Sequence, residues 1–81
     1  MEDRIAVVGI LIEDREGIAQ QVNKVLGEFG NIIVGRMGIP YREKEVSVIS
    51  LIVNGTTDQL SAMSGQLGNL EGVKVKSAVT A

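Results

Sequence analysis

Cysteine and histidine are both missing from this chain of 81 residues. Without cysteine there is no disulfide framework, no thiolate metal site and no dithiol redox chemistry, and nothing points to an oxidising compartment. Without histidine the commonest general base, the usual imidazole ligands of zinc and nickel, and every histidine-dependent nucleophilic triad are gone as well. The sequence therefore reads as non-enzymatic, with no catalytic residue, no metal site and no cofactor. Long apolar runs are also absent: none approaches the roughly 20 residues of a membrane span. The opening Met-Glu-Asp-Arg carries acid where a secretory leader needs base. A cytoplasmic protein without membrane contact is the expectation. Nor is there a basic cluster. The 8 Lys and Arg residues are scattered and outweighed by 10 Asp and Glu, for a net charge of −2, so direct nucleic-acid binding is not expected.

What the chain does have is strand-like segments that are apolar on both faces. In Arg4 to Ile12, Ile5, Val7 and Leu11 alternate with Ala6, Val8, Ile10 and Ile12, and neither side reads as solvated. One domain over residues 1–81, with a core burying only roughly 60–65% of its unfolded surface, cannot cover two faces of a sheet by itself. With no disulfide or metal to staple so small a fold, oligomerisation is the remaining device. The expectation is a homo-oligomer, a dimer or tetramer, assembled through sheet faces. An aspartate at Ile10 or Ile12, whichever faces the uncovered side, should then break the assembly into a destabilised monomer.

Arg4 to Glu13 reads as a strand that stops at the polar turn Asp14-Arg15-Glu16-Gly17, with Asp14 a candidate helix cap. Ile18, Val22, Val25, Leu26 and Phe29 then mark one face of a helix that Gly30 should end. Ile32 to Tyr41 and Val46 to Val53 follow as strands about the charged hairpin tip Arg42-Glu43-Lys44-Glu45, with Asn54-Gly55 closing the second. Thr56 and Gln59 have the spacing of a capping box, ahead of a helix striped by Leu60, Met63, Leu67 and Leu70. Gly72 should end that helix, and Val73, Val75 and Val79 alternate with Lys74, Lys76 and Thr80 in a last, edge strand. Two right-handed split crossovers turn this βαββαβ order into an α+β, ferredoxin-like, four-stranded antiparallel sheet of order 4-1-3-2 with both helices on one face.

Asp14-Arg15-Glu16-Gly17-Ile18, followed after one helix by Gly30-Asn31-Ile32, resembles the signature of the ACT domain, a small regulatory module that binds effectors. Glu16 stands where many members carry proline. Ile39-Pro40-Tyr41 and Arg4-Ile5-Ala6-Val7-Val8-Gly9-Ile10 make the chain look similar to a narrower group, small ACT-like proteins described as regulators of iron-only hydrogenase systems. Those proteins are likened in fold to the sensor half of the nickel-responsive repressor. This chain lacks the His and Cys ligands of that sensor and shows no ribbon-helix-helix segment, so nickel sensing and operator binding do not carry over.

The turn admits two readings. As an effector site, a helix N-terminus offers free N–H groups and partial positive charge, and an amino-acid carboxylate could dock beside Gly17. The resemblance implies an effector-binding set of Asp14, Glu16, Gly17, Ile18, Asn31 and Ile32, shared with a neighbouring subunit. The plainer reading has Asp14 as a cap, Gly17 as a packing residue and Asn31 as a turn former. Glu16 adds negative charge beside the proposed anion pocket, which opposes the first reading. Gly35 and Gly38 lie in a strand, where glycine marks a bulge or a close approach rather than a phosphate loop. Arg36 interrupts an apolar strand and calls for a carboxylate or ligand partner, unless it is an edge residue in solvent. The function read from all this is a non-enzymatic regulator of an iron-only hydrogenase system that binds a small-molecule effector or a protein partner. The alternatives are a stand-alone amino-acid-binding ACT protein, a small ferredoxin-like enzyme and a purely structural subunit.

Overall fold

The computed structural model describes residues 3–81; Met1 and Glu2, which open the acidic N-terminal segment, lie outside the described residues. Along the chain run β1 (Arg4–Glu13), α1 (Ile18–Glu28), β2 (Ile33–Tyr41), β3 (Val46–Gly55), α2 (Thr57–Gly68) and β4 (Val73–Val79). All three strand pairings are antiparallel, and the sheet order is β2-β3-β1-β4. That is the expected 4-1-3-2 order read from the other edge, so the fold is the α+β, ferredoxin-like one.

The alternation of side chains along β1 positions everything else. Ala6, Val8, Ile10 and Ile12 are 1–3% exposed, and with Leu51 and Val53 of β3 they meet Val22 and Leu26 of α1 and Met63 and Leu67 of α2 in one core. Both helices therefore cover the same face. The intervening Ile5, Val7 and Leu11 look the other way and stay 37–44% exposed. The aspartate test framed on Ile10 or Ile12 is thereby misplaced, because both face the helices; Val7 and Leu11 occupy the uncovered side.

Several boundaries move for local reasons. Gly30 does not end α1. The cap is Phe29, and Gly30-Asn31-Ile32 winds into a 3-10 turn in which the Ile32 N–H donates to the Phe29 carbonyl at 3.0 Å. β2 consequently starts at Ile33. Asn54 and Gly55 remain in β3 because they pair with Ile5 and Arg4. α2 stops at Gly68 rather than running to Gly72, which instead takes a φ of 80° in the turn into β4. A side chain there would collide with that of Ile18, so glycine is needed on two counts. The capping box is as expected: the Thr56 hydroxyl accepts from the Gln59 N–H at 3.1 Å, and the Gln59 side-chain oxygen accepts from the Thr56 N–H at 2.8 Å. In β2 the register shifts between Ile33 and Gly35, which places a bulge at Val34, beside the first of the two strand glycines.

Candidate functional site

Between β1 and α1 the chain makes one more turn than a simple cap requires, and this displaces Asp14 from the helix end. The N-cap is Gly17, with a φ of 86°, and no side chain caps α1. Asp14 is therefore not the cap that its position suggested. Its N–H donates instead to the Glu45 carbonyl at 2.9 Å, tying the turn to the β2–β3 hairpin tip, which is a 3-10 turn over Arg42–Lys44. The N–H groups of Arg15 and Ile18 are engaged by the carbonyls of Glu13 and Arg15. The N–H groups of Ala19 and Gln20 remain in the open first turn of the helix.

A cavity of about 470 Å³ adjoins this turn. Glu13, Asp14, Arg15, Lys44, Glu45 and Lys74 line it together with Leu11, Val46 and Val73. Its charges are mixed in sign, and one pair is made internally, since the Arg15 Nε lies 2.8 Å from a Glu13 carboxylate oxygen. Arg15 also approaches Glu71 at 3.9 Å. Both partners of each pair are well exposed, so these bridges orient side chains more than they stabilise the fold. Glu13, Asp14 and Glu16 do not converge: no group of three or more acidic side chains able to hold a metal ion occurs among the described residues.

Of the six residues in the implied effector set, only Asp14 lines that cavity. Glu16 is exposed and Gly17 half-buried, while Ile18 is 6% exposed and belongs to the core. Asn31 and Ile32 lie beyond the far end of α1. Its 11 residues separate them from the turn by about 16 Å, and Ile32 is itself a core residue at 5% exposure. A site using both the turn and Asn31 must take Asn31 from a second copy. Arg15, Lys44 and Lys74 were not joined into one site by the sequence because they come from three separate segments with no shared periodicity; only the hairpin tip and the edge strand bring them together.

The second feature is the uncovered sheet face. Val7 and Ile52 are paired neighbours on it, as are Leu11 and Val48, around a small central pair of Gly9 and Ser50. Ile52 and Val48 are 48% and 41% exposed. The β2 edge adds Met37, Ile39 and Tyr41, whereas the β4 edge carries Lys74 and Lys76. The face is thus apolar across three strands and cationic along the fourth. No helix among the described residues is long and apolar enough to cross a membrane.

A four-stranded sheet of this order with two helices on one face defines the chain as an ACT-like α+β module. Residues 4–77 match the family described as "TM1266-like: Iron-only hydrogenase system regulator, putative", and the chain belongs to that family. Its structure is similar to that of the uncharacterised protein TM1266 from Thermotoga maritima, at 38% identity and a TM-score of 0.96, covering 99% of this chain and 100% of the other. It is also similar in fold to the ACT domain from the GTP pyrophosphokinase of Chlorobium tepidum, at 23% identity and a TM-score of 0.79 over 94% and 99% of the two chains. A formyltetrahydrofolate deformylase from Pseudomonas putida contains a similar fold in a longer chain. It is 10% identical with a TM-score of 0.66, and the likeness covers 94% of this chain but 29% of that one. No curated protein matches the sequence.

Proposed function

We propose that this chain is a non-enzymatic regulatory module of an iron-only hydrogenase system, working as a homo-oligomer that binds a small effector. The observation that carries the proposal is the uncovered sheet face, which has the apolar character of a subunit interface on a chain too small to hide it. With β1 10 residues long and four strands abreast, the face spans roughly 33 by 19 Å. That is within reach of the about 800 Å² per partner typical of stable interfaces.

Charge selects the arrangement. A two-fold axis running along the strands between β1 and β3 sets β4 of one copy over β2 of the other. The stems of Lys74 and Lys76 then lie along Ile39 and Met37, which share their levels in the sheet register. An axis across the strands would set lysine against lysine. Edge-to-edge pairing through β2 is opposed by Pro40 and by the bulge at Val34, both devices that discourage an added strand.

The cavity beside Asp14 is the effector site in this reading. About 470 Å³ falls within the range that holds a small metabolite, and a lining of both signs suits a zwitterion such as an amino acid. This also favours the second reading, an amino-acid-binding ACT protein outside hydrogenase control. Regulation requires the effector to bind two subunit arrangements unequally. Because the net charge is −2, any transcriptional effect runs through a partner protein rather than through DNA contact by this chain. Native mass spectrometry of the protein purified gently from its own cells is the test. An even-numbered oligomer that Leu11→Asp converts to monomer supports the assembly, and a retained small mass identifies the effector. A bare monomer at micromolar concentration would overturn it.

A further inference from the structure

On the helix side of the sheet, β2 projects beyond the cover of α1 and leaves a groove of about 190 Å³. We propose that this groove binds a small aliphatic monocarboxylate, gripped by Arg36. The inference is separate from the turn and its cavity, and it does not depend on the regulatory reading.

The groove's walls are apolar: Ile12, Ala19, Pro40 and Ile49 line it. Its polar groups are Asn23, Arg36 and Ser47. The Arg36 Nη2 donates to the Asn23 Oδ1 at 2.7 Å, which fixes the guanidinium against α1 but neutralises nothing. A guanidinium has five N–H donors in a fixed fork. Among the described residues the ion pairs are those of Arg15, so no carboxylate meets Arg36. Arg36 lies exposed on the edge strand, where a neutral amide orients it and, among the described residues, no carboxylate pairs with it.

The ligand class follows from charge, shape and size. A planar fork matches a carboxylate in a bidentate manner. One positive charge in the groove suits a monoanion better than a dianionic phosphate. The volume of about 190 Å³ lies below the roughly 300 Å³ at which drug-sized pockets begin and suits a ligand of a few heavy atoms. Apolar walls favour a short aliphatic chain behind the carboxylate, and the Ser47 hydroxyl is available as a further donor.

The experiment is an amide NMR titration of the full chain with isovalerate at constant ionic strength, with 3-methyl-1-butanol, isoamylamine and inorganic phosphate as comparisons. Saturable shifts at Ala19, Asn23, Gly38 and Ser47 are expected with isovalerate alone. Arg36→Gln should weaken binding roughly tenfold or more, and Arg36→Lys, which keeps charge but loses the fork, by less. Ala19→Leu fills the groove without touching the guanidinium and should also abolish the shifts, so the result does not hang on one variant's folding. No saturable shift, shifts confined to Lys74 and Lys76, or binding indifferent to Arg36→Gln would overturn the site. Phosphate binding as tightly as isovalerate would overturn the carboxylate assignment.

Discussion

The two faces of β1 are built from the same residue types, yet one is sealed and the other open. Val8 and Ile10 are 1% exposed while their neighbours Val7 and Leu11 are 41% and 37% exposed. Composition does not separate the faces; the helices do. α1 and α2 present Val22, Leu26, Met63 and Leu67 to the even-numbered side, and no element among the described residues covers the odd-numbered side. An apolar face can thus be sealed or left open, and which it becomes depends on what is in register above it.

Breaking that comparison should give the largest effect. Ile10→Asp buries an unpaired carboxylate under both helices and should cost more than about 4 kcal/mol. This is comparable to the whole stability of about 4–12 kcal/mol expected for a chain of this length, so urea denaturation should find it largely unfolded. Leu11→Asp, one residue along, should remain folded with native-like circular dichroism and lower the assembled mass. Equal unfolding by both would mean that the open face supports the monomer's own core.

The helix ends sharpen the picture at smaller scale. α2 has a reciprocal box in which Thr56 and Gln59 satisfy each other's N–H groups, whereas α1 begins at a glycine with no side-chain cap. Thr56→Ala should lower stability by about 1 kcal/mol in thermal or urea unfolding. Asp14→Ala should move it by less than about 0.5 kcal/mol, since the Asp14 backbone N–H, and not its carboxylate, anchors the turn. A loss at Asp14 as large as at Thr56 would restore a capping role to that carboxylate.

Much of the fold was legible because it is written in local periodicities. The period of two in β1 and β3, the helical spacing of Ile18, Val22, Val25 and Leu26, and the box at Thr56 each constrain a few neighbouring residues. The bulge beside Gly35 was readable for the same reason. The site was far less legible. Asp14 looked like a cap because Asp before an amphipathic run is a common start signal, but the four-residue turn passes that position to Gly17. The signature's two halves, Asp14–Ile18 and Gly30–Ile32, lie at opposite ends of α1, as their spacing implied, so one copy does not bring them into one site. No sequence signal foretold that Lys44, Arg15 and Lys74 would border one cavity, whereas the reading of Arg36 as an edge residue in solvent holds, since it lies exposed on β2 with the Asn23 amide as its partner.

By itself the sequence determined the element order, the antiparallel topology, and the apolar character of both faces of the central strands. Alternation and helical spacing are properties of consecutive residues, and backbone geometry converts them directly into faces. Only the tertiary structure decided which parity of β1 lies beneath the helices, because a shift of one residue exchanges the two faces without altering the pattern. It alone also decided which charges share a cavity and that the Arg36 guanidinium is held by the Asn23 amide. Those are distances between residues far apart in the chain, fixed by strand register and helix docking.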